Sequence, residues 1–364
     1  MICRATTRLD TVPHRKSLPL IDRVCSVILG LAALVGLGAP VHAQDVADFY
    51  RGKRITLVIG YGPGGGYDIY ARMLGRFIGA HIPGNPLIVP QNMPGAGSRS
   101  ATNWLYKVAP QDATVIACLS QATPADQVLD QPGVQFDARK FNWIGNLNIV
   151  NNILYVSSAS GAATLAQAKS IVASGATSPS VIYPQVSNNL LGTKFKIIAG
   201  CPGGADINIA VERHELDGRG SDSWDSLKAA HPDWLRNRMV NILFQVGPRR
   251  ENDLPNVPLW TELAQSDEQR MVLSLLSSDV SVGRPILTTP NVAADRIEAL
   301  RRAFEETMHD PHFIAAAKEA HLNINPMFGD QLQRVIGNIV SSPPDVVAKV
   351  KTALAIKDIS RKGK

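Results

Sequence analysis

The chain has 364 residues, of which 45% are hydrophobic and 19% charged, so it is long enough to form more than one globular domain. Its 37 basic and 31 acidic residues give a formal net charge of +6. Five basic and two acidic residues lie in residues 1–43, so half of the positive excess belongs to this N-terminal segment. The remainder contains no Lys/Arg cluster typical of a nucleic-acid-binding surface, which disfavours nucleic acid as a partner.

Residues 1–43 have the pattern of an export signal. Basic residues precede the apolar run Val24–Leu37, and Val41–Ala43 forms a small-residue cleavage site before Gln44. The apolar run is shorter than the roughly 20 residues that a membrane-spanning helix needs, although a retained anchor remains an alternative. Cys25 lies inside the run, which disfavours a lipoprotein anchor. We therefore predict a signal peptide over 1–43 and a periplasmic location.

Alternating strands and helices are predicted from residue 55 onward. Short β-branched or apolar runs predict strands at Ile55–Gly60, Leu87–Pro90 and Thr114–Leu119. Helical periodicity predicts a helix over Asp68–Ile82, and Ser98 is placed to cap the next one. Strand, glycine turn and helix occur twice in succession, which is typical of an α/β fold with a parallel sheet and crossover helices.

The middle of the chain repeats this pattern more weakly. A turn at Gly200–Gly204 leads into a predicted helix, with Gly218 past its end. The C-terminal third is predicted to be helical, with apolar faces along 293–308 and 332–339. Further strands are predicted at Ile153–Val156, Ser170–Ala173, Lys196–Ala199 and Asn241–Val246.

Two glycine-rich turns are the main candidates for a binding site. Gly60–Asp68 and Asn92–Ser98 each join a predicted strand to a helix N-terminus, where unpaired backbone N–H groups and the helix dipole favour an anion. Glycine lets a ligand approach the backbone closely. Turns that follow neighbouring parallel strands open at the same sheet edge, where open α/β sheets bind ligands.

A dinucleotide site is the competing interpretation of the first turn. Gly60, Gly62 and Gly65 fit the G-x-G-x-x-G fingerprint. That fingerprint requires an acidic residue at the end of the second strand, and Pro90–Asn92 supplies none. No nucleotide or other cofactor is therefore predicted.

Catalytic and metal sites are not indicated by local sequence. The histidines are scattered without metal-ligand spacing, and no Ser/His/Asp or Cys/His set occurs within a short stretch. Because catalytic triads are often distant in sequence, a secreted α/β hydrolase remains the alternative. Cys118 and Cys201 are predicted to be free thiols, and a disulfide between them remains open.

The two turns also carry a family resemblance. Pro63–Arg72 (PGGGYDIYAR) and Asn92–Pro110 (NMPGAGSRSATNWLYKVAP) resemble, in order and spacing, motifs of the Bug-type receptors of tripartite tricarboxylate transporters. The resemblance implies a two-domain periplasmic-binding-protein architecture (type II, Venus-flytrap) whose domains enclose a small carboxylate. It also implies transporter membrane subunits as partners and a monomeric, non-enzymatic receptor. We predict domain 1 at 44–147 plus 262–364 and domain 2 at 148–261.

The resemblance assigns the ligand to main-chain and short polar groups of Tyr61–Asp68 and Asn92–Ser98. Thr177 and Ser178 are the best hydroxyl candidates of the middle domain, on the condition that the turn Ala173–Pro179 faces the cleft. Gly66-Tyr67 replaces a Ser-Thr pair that is frequent in the family, so the ligand itself does not carry over. The predicted ligand-binding residues are Tyr61, Gly62, Gly64, Gly65, Gly66, Tyr67, Asp68, Asn92, Gly95, Ala96, Gly97, Ser98, Thr177 and Ser178.

Some of these side chains have structural interpretations as well. Asp68 lies in the first turn of its helix, where a carboxylate satisfies free N–H groups. Tyr67 is expected either to donate its phenol to a carboxylate or to pack. Arg99 is a candidate partner for a second carboxylate or a solvated helix residue. Asp222–Trp224 follows the predicted middle helix and is a weaker candidate for the far wall of the site.

Overall fold

The computed structural model describes residues 41–149, 151–165, 167, 170–174, 179–201 and 203–354. The predicted signal peptide lies almost wholly outside the described residues, as do Thr177 and Ser178. Within the described ranges, no helix combines the length and the apolar character that crossing a lipid bilayer requires.

Strands and helices alternate along the chain. The described strands are β1 (Arg54–Ile59), β2 (Leu87–Asn92), β3 (Val115–Cys118), β4 (Asn142–Asn146), β5 (Asn152–Ser157), β6 (Ser170–Ser174), β7 (Lys196–Cys201), β8 (Gly218–Ser223), β9 (Val240–Val246), β10 (Pro285–Thr288) and β11 (Met327–Phe328). The described α-helices are α1 (Val41–Tyr50), α2 (Gly66–Phe77), α3 (Arg99–Lys107), α4 (Thr123–Val128), α5 (Pro179–Leu191), α6 (Gly204–Glu212), α7 (Trp224–Ala230), α8 (Pro232–Arg236), α9 (Asp267–Ser277), α10 (Ala294–His309), α11 (Pro311–Glu319), α12 (Gly329–Val340) and α13 (Pro344–Leu354). Short 3-10 helices occur at Ile78–Ala80, Ala96–Ser98, Ser158–Ser160, Trp260–Leu263 and Ser278–Ser281.

The first sheet has the strand order β11-β4-β10-β3-β1-β2. Strand β1 pairs in parallel with both β2 and β3, which confirms the predicted strand–helix–strand units. Strand β10 pairs antiparallel with β3 and β4, and β11 pairs antiparallel with β4. The sheet is therefore mixed, because the chain adds β10 and β11 only after it returns from a second sheet.

The second sheet has the strand order β7-β6-β8-β5-β9. Strand β5 pairs antiparallel with β8 and β9, whereas β6 pairs in parallel with β7 and β8. The four strands predicted in this region are present. The central strand β8 was not predicted, and the preceding helix α6 ends at Glu212 rather than shortly before Gly218.

Strand β8 lies in the middle of the second sheet although it contains no β-branched residue. Its sequence is GRGSDS, which has low intrinsic strand propensity. A Cβ atom at Gly220 would lie 2.0 Å from the carbonyl oxygen of Ser180, at the start of α5. Only glycine lets the first turn of α5 lie directly on the strand, so packing between elements decides this conformation.

Helices cover both faces of each sheet, as expected for an α/β fold. We call each sheet with its covering helices a lobe. On the first sheet, one core contains Leu74, Phe304 and Phe313 from α2, α10 and α11, and the other contains Leu105 and Ile336 from α3 and α12. On the second sheet, one core contains Tyr183, Leu273 and Val350 from α5, α9 and α13, and the other contains Ile207, Leu227 and Trp234 from α6, α7 and α8.

The chain crosses between the lobes after β4 and returns before β10. Asn148, in the first crossing, donates its side-chain amide to the hydroxyl of Tyr70 at 2.9 Å and to Asp225 at 2.8 Å. The predicted boundaries at 147/148 and 261/262 remain predictions. Within 262–364, which we assigned to domain 1, helices α9 and α13 contribute to a core of the second lobe.

Both cysteines outside the predicted signal peptide are free thiols. Cys118 is buried in the core of the first lobe, where burial raises the pKa of its thiol to about 12. Cys201 is half-buried, and burial raises its pKa in the same direction. Among the described residues, no group of three or more His, Cys, Asp or Glu side chains is arranged to hold a metal ion.

Candidate functional site

A cavity lies where the glycine turns of the two lobes meet. Its volume is about 50 Å³, which is room for a few water molecules. Among the described residues, the charged groups in its wall are two arginines and one aspartate. It is lined by Tyr61, Gly65, Gly66, Tyr67, Gln121, Asn152, Pro179, Ser180, Gly204, Arg219, Ser221, Asp222, Ser223 and Arg284.

Three helices begin at this cavity. Gly65 is the N-cap of α2, Gly203 is the N-cap of α6, and α5 begins at Pro179. Gly65, Gly204 and Pro179 all line the cavity. The first-turn N–H groups of a helix have no acceptor within the helix and carry the positive end of its dipole. The backbone therefore makes the cavity favourable for an anion before any side chain is considered.

Glycines lie where the turn Gly60–Asp68 of the first lobe approaches the turn Gly200–Gly204 of the second lobe. A Cβ atom at Gly203 would lie 3.3 Å from the backbone nitrogen of Gly62, and one at Gly65 would lie 3.5 Å from that of Gly204. A Cβ atom at Gly66 would lie only 2.1 Å from Ser226 Oγ in the second lobe. The glycine-rich composition of the first turn thus lets the lobes contact each other through their backbones.

Arg284 is the most unusual side chain in the wall. It immediately precedes β10 and is 4% exposed. Its Nη2 donates to Ser226 Oγ at 3.2 Å, while Nε is buried without a hydrogen-bond partner among the described residues. In the described part of the chain, no carboxylate oxygen lies within 4.0 Å of its guanidinium nitrogens. A buried charge that lacks an ionic partner is costly, so this position favours an anion.

Arg219 and Asp222 form an ion pair on the opposite wall, both on β8. Arg219 Nη1 donates to Asp222 Oδ2 at 2.6 Å and to Asn208 Oδ1 at 3.0 Å. The other oxygen of Asp222 accepts from the amide of Ser223 at 2.9 Å. Burial raises the pKa of Asp222 above its usual range, and the guanidinium groups of Arg219 and Arg284 oppose that shift.

Two tyrosines form the floor below Arg284. The rings of Tyr61 and Tyr67 stack at 4.5 Å, and the guanidinium of Arg284 lies 4.4 Å from the centre of the Tyr67 ring. The Tyr67 hydroxyl accepts from the amide of Gln121 at 3.0 Å and donates to the carbonyl of Gly283 at 3.5 Å. The Tyr67 hydroxyl is bonded to the main chain, so Tyr67 contributes its ring to the site. The guanidinium of Arg284 lies over this ring, which positions it.

A second buried acid lies beneath the cavity. Asp279 accepts a hydrogen bond from the Tyr183 hydroxyl at 3.1 Å, and Asn152 donates its side-chain amide to the same hydroxyl at 3.2 Å. Burial raises the pKa of Asp279 to about 7. Asn152 connects this group to the cavity, since it lines the wall and bonds to Tyr183.

Part of the first predicted turn, Gly60–Asp68, lines the cavity. Tyr61, Gly65, Gly66 and Tyr67 line the cavity. Gly64 lines an adjoining cavity of about 100 Å³, which is also lined by Asn208, Ser226 and His231. The remaining predicted residues that the structure describes, Gly62, Asp68, Asn92, Gly95, Ala96, Gly97 and Ser98, do not line the main cavity.

The second turn supports the cavity wall from behind. The Tyr61 hydroxyl donates to the carbonyl of Gly97 at 3.5 Å, and Ser98 Oγ accepts from the amide of Ser120 at 3.2 Å. Ser98 adopts a left-handed conformation with φ 79°. Arg99 is buried and pairs with Asp126 at 3.2 Å, so it is neither solvated nor part of the cavity wall.

Asp68 organises the first turn. Its Oδ2 accepts from the amide of Gly64 at 2.9 Å. Its Oδ1 accepts from Arg72 Nε and from Asn92 Nδ2, both at 2.8 Å. Asn92 also donates to the carbonyl of Tyr61 at 2.8 Å. The carboxylate therefore joins the two predicted turns, which is the structural role expected for an acid in the first turn of α2.

Replacing Asp68 by alanine is expected to lower the free energy of unfolding by about 1–3 kcal/mol, because the amides of Gly64 and Asn92 lose their acceptor. Urea unfolding measures this change. Asp233→Ala is the matched control, since Asp233 lies in the first turn of α8 but pairs with Arg236 on the surface. The control is expected to change stability by less than about 0.5 kcal/mol, and equal effects of the two variants would contradict the role of Asp68.

Sequence comparison identifies two curated relatives, and no family model matches the chain. Protein BugT of Bordetella pertussis is 32% identical over 114 residues, which cover 31% of this chain and 33% of BugT. The UPF0065 protein in the gbd 5' region of Cupriavidus necator is 24% identical over 351 residues, which cover 90% of this chain and 96% of that protein.

Solved structures show the same fold. The periplasmic binding protein BugD has a TM-score of 0.66 at 17% identity, covering 84% of this chain and 98% of BugD. MatC from Rhodopseudomonas palustris, solved with malate, has a TM-score of 0.63 at 16% identity, and the match covers 81% of this chain and 99% of MatC. An R. palustris protein solved with adipate has a TM-score of 0.63 at 15% identity, and the match covers 82% of this chain and 97% of that protein.

The fold is therefore that of the two-lobed α/β periplasmic binding proteins, which confirms the predicted fold class. The predicted resemblance to the Bug-type receptors is confirmed as well, because BugT and BugD are among the proteins that the chain matches.

Proposed function

We propose that this chain is a periplasmic receptor that binds a small carboxylate between its two lobes and delivers it to the membrane subunits of a tripartite tricarboxylate-type transporter. The observation that carries the proposal is Arg284, a buried guanidinium without a carboxylate partner in the described part of the chain. A ligand carboxylate beside Arg284 would supply the missing negative charge.

The cavity wall suits such a ligand in other ways. The starts of α2, α5 and α6 direct positive helix ends towards it. Ser180 and Ser223 add hydroxyl groups, and the stacked rings of Tyr61 and Tyr67 give an apolar floor. The malate of MatC and the adipate of the R. palustris protein are small carboxylates held by proteins of the same fold.

Capture requires the lobes to separate and close. The glycine turns of the two lobes lie close together beside the cavity, so the ligand enters when these turns move apart. On closure, Gly65 and Gly204 meet again and Arg284 bonds to Ser226 across the lobes. The bound acid then exchanges its hydration shell for backbone amides and a guanidinium.

A thermal-shift screen of the protein without residues 1–43, against a panel of organic acids, tests this proposal. An acid present at 100 times its Kd is expected to raise the free energy of unfolding by about 2.7 kcal/mol. Stabilisation that is reversed by dialysis, without consumption of the acid, supports a receptor. Turnover of esters, amides or lactones would instead support the exported hydrolase that the sequence left as the alternative.

Export is a separate part of the proposal. The basic segment, the apolar run and Val41–Ala43 predict cleavage after Ala43. N-terminal sequencing of the periplasmic form is expected to begin at Gln44 or within a few residues of it. A full-length product that remains in the cytoplasm would contradict periplasmic function.

A further inference from the structure

The charged groups that the described residues contribute to the cavity wall do not balance. Arg219 and Arg284 contribute two positive charges, and Asp222 contributes one negative charge. Arg219 and Asp222 neutralise each other through their 2.6 Å contact, which leaves the charge of Arg284. Among these side chains, the balance is completed by a ligand with one net negative charge. A dicarboxylate would bring one negative charge more than the side chains balance.

Asp222 also has acceptor capacity left. An ionised carboxylate has about four acceptor positions, and Asp222 uses one oxygen for Arg219 and the other for the amide of Ser223. The side chain is 5% exposed and lines both the main cavity and the adjoining one. A ligand group next to it meets an acceptor, so a hydroxyl or ammonium group is favoured there and a second carboxylate is repelled.

A second acid, Asp279, lies beneath the cavity. Asp279 lies behind Asn152 and Tyr183, and no described cation forms a salt bridge with it. The positive charge of Lys228 does not balance Asp222 or Asp279, because Lys228 forms ion pairs with Asp225 and Asp253. Arg284 thus carries the wall charge that lacks an ionic partner among the described residues, and Asp222 is a neutralised acceptor on the opposite wall.

We infer that Asp222 makes the cleft selective for acids with one carboxylate and a hydrogen-bond donor, and that it rejects dicarboxylates. This inference rests on the proposed function. Arg284 binds the single carboxylate, and Asp222, held in position by Arg219, accepts from the donor. A second carboxylate binds only if it displaces Asp222 from Arg219.

Calorimetric titration of the wild-type protein with matched acids tests the inference at one fixed salt concentration. The pairs are lactate with malate, butanoate with succinate, and hexanoate with adipate. In each pair that binds, the monocarboxylate is expected to bind at least about tenfold more tightly, a difference of about 1.4 kcal/mol. Lactate is expected to bind about tenfold more tightly than propionate, which lacks the hydroxyl group.

Asp222→Asn is the decisive variant. It removes the negative charge and frees Arg219, so the ratio of lactate to malate affinity is expected to shift at least about tenfold towards malate. Asp126→Asn is the control, because Asp126 is also a buried aspartate paired with an arginine but does not line the cavity. The control is expected to leave the ratio unchanged.

The outcomes separate the inference from the proposed function. Tighter binding of the dicarboxylates by the wild-type protein, or an unchanged ratio in a folded Asp222→Asn variant, overturns the inference and leaves a carboxylate receptor. No binding of any acid overturns the proposed function, and the inference with it. If Asp222→Asn does not fold, the wild-type affinity ratios alone decide.

Discussion

Replacing Arg284 by methionine is expected to lower carboxylate affinity by about 2–5 kcal/mol, which is about 30-fold or more. Methionine keeps much of the side-chain volume but removes the charge that the ligand is proposed to neutralise. The ligand-free protein is expected to lose no stability, because the variant also removes a buried guanidinium without a carboxylate partner in the described residues. Titration calorimetry measures the first effect, and denaturant unfolding the second.

Arg302→Met is the matched control for this experiment. Arg302 lies on α10, pairs with Glu298 at the surface and does not contact the cavity. It is expected to leave both affinity and stability within about 0.5 kcal/mol of the wild type. Unchanged affinity in Arg284→Met would show that the anion binds elsewhere on the molecule.

Replacing Gly66 by alanine is expected to prevent full closure of the lobes. The new Cβ atom would lie 2.1 Å from Ser226 Oγ and 3.1 Å from Arg284 Nη2, so Ser226 of the second lobe must shift and its hydrogen bond with Arg284 is disturbed. Overpacking of this kind costs about 1–3 kcal/mol, and the cost falls on the closed, ligand-bound form. Affinity is therefore expected to fall about five- to 150-fold, as measured by titration calorimetry, while the open form remains folded.

Gly337→Ala provides the matched glycine substitution. Gly337 lies inside α12, and a Cβ atom there would have no neighbour within 4 Å. This variant is expected to raise stability by about 0.5–1 kcal/mol through helix propensity and to leave affinity unchanged. Wild-type affinity in Gly66→Ala would mean that ligand binding does not require contact between Gly66 and Ser226.

Local sequence patterns predict the first lobe's central strands and part of one wall of the cavity. Strand β1, the glycine turn and helix α2 are adjacent in sequence, and their apolar spacing and glycine content specify each of them directly. Tyr61, Gly65, Gly66 and Tyr67 could be placed at the cavity because they lie where a strand ends and a helix begins.

The opposite wall could not be predicted because it depends on contacts between distant residues. Strand β8 has a polar, glycine-rich sequence, and it becomes a central strand only through pairing with β5 and β6 and packing of Gly220 under α5. The sequence therefore does not indicate Arg219, although it offers Asp222 and Ser223 as weaker candidates. The only sequence signal for Arg284 is a single charge directly before the apolar strand β10.

Buried acids show the same limitation. Asp68 has a local signal, since an acid in the first turn of a helix predicts a structural role. Asp279 has none, because its burial depends on Tyr183 from another helix. The predicted role of Asn92 as a ligand contact likewise rested on the motif alone, whereas the structure shows its amide bonded to Asp68 and to the main chain of Tyr61.

A crystal structure of the protein with the acid that gives the largest thermal shift tests the central claim most directly. We expect the ligand carboxylate within hydrogen-bonding distance of the Arg284 guanidinium, between the turn at Gly65-Gly66 and the start of α6. We also expect the two lobes to be closed around it. A carboxylate bound outside this cleft, with Arg284 still lacking an anionic partner, would contradict the account.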